Sequence, residues 1–111
     1  MRILAFSLLL LISFSSHAQK LLRVGVAGLT HDHVHNIMNQ FKRGEVTIAG
    51  IAEADQQLVQ RYKNTYHLPD SLFYPSLPAL LAHVHPDAVL AYNAISEHLG
   101  VVELCAPKGI S

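Results

Sequence analysis

The chain has 111 residues, of which 50% are hydrophobic and 14% are charged, and its formal net charge is zero. This composition is typical of a protein that forms a hydrophobic core, and it excludes a disordered chain. Lysine and arginine residues are scattered rather than clustered, so the sequence predicts no nucleic-acid partner. The only cysteine is Cys105, which excludes an internal disulfide.

The N-terminal segment is typical of a secretory signal peptide. Arg2 is followed by an almost uniformly apolar run over residues 3–12, and Ser16 and Ala18 place small side chains where a signal peptidase reads them. The run is too short to span about 30 Å of hydrocarbon, which favours cleavage after Ala18 over a stable membrane anchor. The segment has no twin arginine, so the Tat route is not indicated. No cysteine follows the cleavage point, so a lipoprotein is not indicated. We therefore predict a Sec-type signal peptide over residues 1–18 and an exported, periplasmic or extracellular, protein.

The first half of the mature chain predicts two buried strands and two helices. Residues 21–28 and 46–52 are apolar runs, as in strands that are buried on both faces of a sheet. Between them, apolar residues recur at helical spacing, and Gly44 marks the end of the helix. The inward stripe of this first helix is Val34, Ile37, Met38 and Phe41. Asp55 can cap a second helix. The inward stripe of this second helix is Leu58, Tyr62 and Tyr66.

The second half begins with a predicted loop over residues 67–74. Ser76 is predicted to cap a third helix, with Pro78 in the first turn, where proline is tolerated. The inward stripe of this third helix is Leu77, Leu80, Leu81 and Val84. A strand over residues 88–92 follows, and Ser96 is predicted to cap the last helix. The inward stripe of the last helix is Leu99, Val102 and Ala106.

This order of elements predicts an α/β fold. Apolar strands that alternate with amphipathic helices form a parallel sheet covered on both faces, and right-handed crossovers make it a Rossmann-like doubly wound sheet. Ligands bind such sheets at the carboxyl ends of the strands. We therefore expect the site residues directly after each of the three predicted strands.

The turn after the first strand predicts an anion-binding site with an altered sequence. It reads GLTHDH over residues 28–33, whereas a dinucleotide-binding turn reads G-x-G-x-x-G. Thr30 and His33 replace the two later glycines, but amides at the helix N-terminus can still donate to a phosphate. The alternative is an ordinary turn in which side chains fill the space of a pyrophosphate. The predicted cofactor-binding residues of the turn are Gly28, Leu29, Thr30 and His31.

Polar residues also follow the other two strands. Glu53 is predicted to accept hydrogen bonds from the ribose hydroxyls of an adenosine, and its charge favours NAD over NADP because a 2′-phosphate is repelled. The alternative for Glu53 is a solvated loop residue. Asn93 lies at the binding edge, and His98 falls in the first turn of the last helix, near the expected place of a nicotinamide. The alternative for His98 is a histidine in solvent.

The chain resembles the Gfo/Idh/MocA family of oxidoreductases. The resemblance lies in LRVGVAGL, VTIAGIAEAD and the stretch from YPSLPALLAHVHPDAVL to the last residue, and it covers residues 21–111. The most specific matches are Tyr74, Leu80, Leu81, Asp87, Ala88, Val89, His98 and Gly109.

The resemblance implies an NAD(P)-dependent oxidoreductase that moves a hydride between the cofactor and a sugar, polyol or related compound. It implies roles for Gly28 as the turn glycine, for Glu53 as the ribose acceptor, and for Asn93 and His98 at the edge of the cofactor. The family's Glu-Lys-Pro motif, with its catalytic lysine, is absent, as is the C-terminal domain that binds substrate and forms homo-oligomers. We therefore expect residues 19–111 to be an incomplete dinucleotide-binding domain, without a catalytic residue and inactive by itself.

Two other functions stay open. The altered glycine turn favours a non-catalytic exported module that uses the Rossmann scaffold for another ligand, such as a carbohydrate. His31 and His35, four residues apart, could instead share a helix face in a small metal-binding protein. A closed metal site needs three or four ligands and no clear third is supplied, so we predict no metal. In the simpler interpretation His31 and His33 line the turn, and His35 lies in solvent.

Overall fold

The computed structural model describes residues 18–111, which form four strands and four α-helices. The strands are β1 (Arg23–Ala27), β2 (Thr47–Ala52), β3 (Phe73–Tyr74) and β4 (Ala88–Ala91). The helices are α1 (Val34–Lys42), α2 (Gln56–Tyr66), α3 (Leu77–His83) and α4 (His98–Cys105). The predicted signal peptide lies, apart from Ala18, outside the described residues. Within residues 18–111, no helix is long and apolar enough to cross a membrane.

The strands form one parallel sheet in the order β3-β2-β1-β4. The chain moves outward from β1 through β2 to β3, and then returns to place β4 on the other side of β1. This reversal is the topological switch point of a doubly wound sheet, and it lies between β1 and β4. The predicted α/β class and parallel sheet are therefore confirmed, and the strand order is compatible with a Rossmann-like fold.

The two faces of the sheet carry side chains of different size. On the large-residue face, which α1 and α2 cover, the strands contribute branched side chains to one core cluster: Val24, Val26, Ile48 and Ile51. On the small-residue face, which α3 and α4 cover, Ala27 and Ala52 belong to a second cluster. Each face is covered by a pair of helices, as the doubly wound prediction requires.

A register shift in β2 creates this division. Val24 pairs with Ile48, whereas the next residue, Gly25, pairs with Gly50, so β2 has one extra residue at Ala49. Because an extra residue reverses the alternation of side chains, Ile48 and Ile51 reach the same face although they are three positions apart. The small residues of β2 consequently lie on the opposite face. The sequence reading predicted the strand but not this shift.

Close packing of α3 depends on Gly50. A β-carbon on Gly50 would lie 3.0 Å from atoms of Leu80 and 3.0 Å from Tyr74. Real β-carbons rarely lie so close to other heavy atoms, so a side chain here would push α3 away from the sheet. Glycine at this position therefore sets the distance between helix and strand on the small-residue face.

Two of the three predicted helix caps, at Asp55 and Ser76, are confirmed. The Asp55 carboxylate accepts hydrogen bonds from the amides of Gln57 at 2.8 Å and Leu58 at 3.4 Å. The Ser76 hydroxyl accepts one from the Ala79 amide at 3.2 Å, and proline occupies the first turn of α3 as predicted. Each cap satisfies amides that would otherwise lack partners at the start of a helix.

Two predictions in the middle of the chain need correction. The predicted loop over residues 67–74 contains a 3₁₀ turn, Asp70–Leu72, and the edge strand β3. A strand of two residues is too short to show alternation, so its sequence gave no strand signal. In α2, Tyr62 is buried as predicted, but Val59 is buried with it while the predicted Leu58 is only half-buried.

The prediction for the last helix was wrong in two respects. Ser96 does not cap it, because a 3₁₀ turn, Ile95–Glu97, precedes α4, and the Glu97 carboxylate accepts the Ala94 amide at 3.0 Å. The predicted inward stripe faces outward: Leu99 is 67% exposed, Val102 is 59% exposed, and Ala106 is exposed. The residues that face the sheet are Val101 and Cys105. Because α4 is apolar on several sides, its spacing could not decide which side is buried.

Candidate functional site

A cleft of about 440 Å³ opens at the carboxyl ends of β1 and β2, between α3 and α4. It lies over the small-residue face, where Ala27 and Ala52 take up little space. Leu77 of α3 and Val101 of α4 provide apolar walls. The polar residues that line it are Thr30, Glu53, Ser76, Asn93 and Glu97. Its volume and mixed lining are typical of a small-molecule site.

Gly28 joins the turn after β1 to the turn after β4. Its φ angle is +84°, in the region that favours glycine, and a β-carbon would lie 2.6 Å from the Asn93 β-carbon. The His31 amide donates to the Tyr92 carbonyl at 3.0 Å and fixes the turn from its other side. Any other residue at position 28 would separate the two turns that meet at the switch point.

The Glu53 carboxylate holds the same turn to the end of β2. Its Oε2 accepts the Leu29 amide at 2.8 Å, and its Oε1 accepts the Asp55 amide at 2.9 Å. Each carboxylate oxygen can accept more than one hydrogen bond. Glu53 can therefore hold the turn and still accept hydrogen bonds from a ligand in the cleft. The sequence interpretation considered only the second of these roles.

The turn before α1 presents free amides. Val34 begins α1, and the side chain of the preceding His33 makes no capping hydrogen bond. Within residues 18–111, the amides of Thr30, Asp32 and His33 have no hydrogen-bond partner. Unpaired amides at the start of a helix carry partial positive charge, so this turn has the chemistry of an anion site.

Asn93 has an unsatisfied polar atom in the wall of the cleft. Its Oδ1 is buried and has no hydrogen-bond partner among the described residues. A buried acceptor without a partner destabilises a fold by about 1–3 kcal/mol. The backbone carbonyl of Asn93 is satisfied, because it accepts a hydrogen bond from His98 Nε2 at 3.3 Å.

No protein-family model matches the sequence, and no curated protein or solved structure matches the chain. The resemblance to Gfo/Idh/MocA oxidoreductases therefore stays a prediction. What the chain does must be argued from the cleft.

The structure brings together part of the predicted cofactor site. The predicted residues that line the cleft are Gly28, Thr30, Glu53 and Asn93. Leu29 is buried, and its backbone amide alone contributes, through Glu53. His31 is exposed, and neither it nor the half-buried His98 lines the cleft.

Sequence reasoning missed the contributions of α3 and α4 to the cleft. Ser76 and Glu97 lie in the segments that follow β3 and β4, where a parallel sheet places its ligand contacts. Ser76 was interpreted only as a helix cap because the short strand before it had not been recognised. Gly100, within α4, also lines the cleft and had no predicted role.

His35 does not lie in solvent, which corrects the simpler interpretation. It is half-buried, its ring stacks on Tyr62 with centroids 5.1 Å apart, and its Nε2 is hydrogen-bonded to the Tyr62 hydroxyl at 3.2 Å. Its Nδ1 is hydrogen-bonded to the Tyr66 hydroxyl. Since both ring nitrogens are occupied, His35 is not arranged to chelate a metal with His31. Residues 18–111 contain no group of three or more His, Cys, Asp or Glu side chains that could hold a metal ion.

Proposed function

We propose that the cleft binds NAD, and that this chain is the nucleotide-binding part of an exported oxidoreductase similar to Gfo/Idh/MocA enzymes. One observation carries the proposal: Thr30, whose amide is free and lies just before α1, and the Glu53 carboxylate after β2 line the same cleft at the carboxyl edge of a parallel sheet. A dinucleotide needs both features, because the amides bind the pyrophosphate and the carboxylate accepts the ribose hydroxyls.

The residues of the altered turn fit this ligand. The Thr30 and His33 side chains are exposed rather than packed into the turn, so they can lie aside while their amides donate to a phosphate. A threonine hydroxyl is a further donor to a phosphate. Replacement of the two later glycines therefore leaves the anion-binding chemistry of the turn in place.

The charges of the cleft favour NAD over NADP. Two carboxylates, from Glu53 and Glu97, line it, and among the described residues no lysine, arginine or histidine does. A 2′-phosphate would bring negative charge next to the Glu53 carboxylate without a cation to neutralise it, and like charges repel. NADP is therefore the weaker ligand in this proposal.

The proposal includes a sheet that continues beyond β4. The Ser111 amide donates to the Asp87 carbonyl at 3.4 Å, and the Val89 amide donates to the Ser111 carbonyl at 2.7 Å. This is the pairing pattern of parallel strands. The outward side of α4 is also apolar, and a helix that is apolar on all sides is typical of a protein interior. In the complete enzyme we expect a further strand beside β4 and a further element over α4.

The enzyme's catalytic and substrate-binding parts belong to the same proposal. No lysine lines the cleft within residues 18–111, so the catalytic acid or base of this enzyme class would come from elsewhere in the polypeptide. A sugar, polyol or related compound is the proposed substrate. A further domain, similar to the C-terminal domain of Gfo/Idh/MocA enzymes, would bind it and form the homo-oligomer. The predicted signal peptide assigns the enzyme to the periplasm or the exterior of the cell.

Calorimetric titration of the full-length protein with NAD and with NADP tests the cofactor proposal. We expect NAD to bind more tightly, and Glu53→Gln to narrow the difference by about tenfold, because the substitution removes the charge that repels the 2′-phosphate. A ratio of two affinities does not change if a variant is merely less stable. Glu45→Gln is the matched control, since Glu45 precedes β2 at the opposite end of the sheet. Equal affinities for NAD and NADP in the wild type, or no binding at millimolar concentrations, would contradict the proposal.

A second candidate function is an exported module that binds an uncharged, hydroxyl-rich ligand such as a carbohydrate. The lining of the cleft favours it, because it offers acceptors on Glu53, Glu97, Thr30 and Ser76, and no lysine, arginine or histidine among the described residues. Sugar hydroxyls would donate to these acceptors. Titration with neutral monosaccharides distinguishes the two functions: sugar binding without NAD binding would favour the module.

A further inference from the structure

Gly100 is a glycine that the fold itself does not explain. Three of the six glycines have a positive φ angle: Gly28, Gly44 and Gly109. Two more, Gly25 and Gly50, lie against neighbouring side chains. Gly100 lies inside α4, its φ is not positive, and a β-carbon there would meet no heavy atom within 4 Å. Glycine inside a helix is destabilising relative to alanine. This position therefore lowers stability without a packing or backbone requirement.

What distinguishes Gly100 is its place in the cleft. Glu97, three residues before it, and Leu104, four residues after it, line the cleft with it. A side chain at position 100 would extend into open space on this side of α4 and narrow the cleft. Glycine instead leaves the helix backbone accessible to a ligand, which is a recognised use of this residue.

We propose that Gly100 is a specificity-determining contact against which a flat heteroaromatic ring of the ligand packs. The floor under it is made of Ala27 and Ala52, whose small side chains suit a flat group. The Glu53 carboxylate nearby suits a group with N–H or O–H donors, and no lysine, arginine or histidine among the described residues lines the cleft to attract an anion. The inference rests on the proposed function only for the source of the ring, which is either the adenine or the nicotinamide of NAD.

The test separates stability from binding at one position of the full-length protein. Gly100→Ala should raise the melting temperature by about 2–4 °C, because alanine is the better helix former and its β-carbon meets nothing. Gly100→Leu should weaken NAD binding by about tenfold or more, because its side chain occupies the space of the ring. Ala106→Leu is the matched control: it adds a side chain of the same kind near the end of α4, at an exposed position that does not line the cleft. It should leave the affinity unchanged.

Separate titrations with adenosine and with nicotinamide mononucleotide identify the ring, since only the one that occupies this space should lose affinity in Gly100→Leu. If Gly100→Leu binds NAD as the wild type does, the role of Gly100 is wrong while the proposed function stands. If the wild type binds adenosine but not NAD, and Gly100→Leu abolishes this binding, the ring contact stands and the dinucleotide function is wrong. Absence of binding for all three ligands overturns both. A lower melting temperature in Gly100→Ala would also overturn the inference, because the fold itself would then require the glycine.

Discussion

The two faces of the sheet have different tasks. On the large-residue face, Val24, Val26, Ile48 and Ile51 fill the space under α1 and α2 and form a continuous core. On the small-residue face, alanines and glycines bring α3 close to the strands and leave a cleft beside α4. The volume of the side chains on each face can therefore separate residues that stabilise the fold from residues that line the cleft. Substitutions on the first face should reduce stability, whereas substitutions on the second should also change binding.

The largest expected effect is on the large-residue face. Ile51 is fully buried there, and Ile51→Ala should lower the free energy of unfolding by about 2–5 kcal/mol, through lost burial and the cavity that remains. Chemical denaturation measures this change. The affinity of the folded fraction for NAD should not change, because Ile51 does not line the cleft. A large loss of affinity in folded protein would contradict the separation of the two faces.

The next largest change in the free energy of unfolding is expected from a substitution on the outward side of α4. α1 presents Asn36 and Asn39 to solvent, whereas α4 presents Leu99 and Val102. If a further element covers α4 in the folded protein, Leu99→Ala should lower the free energy of unfolding by about 2 kcal/mol. The equivalent change at an exposed site is within about 0.5 kcal/mol. A value that small would mean that α4 is not covered.

Gly50 tests the close approach of α3. Gly50→Ala places a β-carbon 3.0 Å from Leu80 and Tyr74, and it should lower the free energy of unfolding by about 1–2 kcal/mol. Because Leu77, at the start of α3, lines the cleft, the same variant should weaken ligand binding. Gly100→Ala is the control, since it adds the same atom in open space and should have the opposite effect on stability. Unchanged stability and affinity in Gly50→Ala would show that α3 moves freely over the sheet.

A rise to alkaline pH should have the smallest effect on stability, and it acts on one buried group on each face of the sheet. Burial raises the pKa of Tyr62 on the large-residue face and the pKa of the Cys105 thiol on the small-residue face. A raised pKa means that the folded state retains the proton longer than the unfolded state does. Stability from these groups is therefore complete below their ordinary pKa values, about 8.5 for cysteine and 10 for tyrosine, and is lost as the pH rises through the folded values.

Melting temperatures between pH 8 and 11 measure this loss. Cys105→Ala should remove the part that begins near the ordinary pKa of a thiol, and Tyr62→Phe the part at higher pH. Thermal stability that stays constant across this range would contradict the burial of both groups.

Local signals allowed the sequence to predict much of the fold. The caps at Asp55 and Ser76 depend on residues two or three positions away, and the two long strands are mostly apolar. The missed features depend on tertiary contacts. The extra residue at Ala49 is defined only by pairing with β1, and the orientation of α4 only by its packing on the sheet.

The site shows the same limit. Glu53 and Asn93 were predicted because the ends of apolar strands can be read from the sequence. The second role of Glu53, as acceptor of two backbone amides, depends on how two turns meet in space. His35 was placed in solvent because a pattern of histidines does not show that two tyrosines of α2 surround one of them. Contacts between side chains of different elements could not be predicted from the sequence.

The most direct test of the central claim is an amide NMR titration of the full-length protein with NAD. We expect saturable shifts at the amides of Thr30, Asp32 and His33, and at those of Asn93 and Gly100 across the cleft, while the amides at the start of β2 stay unchanged. Shifts confined to another surface, or none at millimolar NAD, would contradict the claim that the switch point of this sheet is a dinucleotide site.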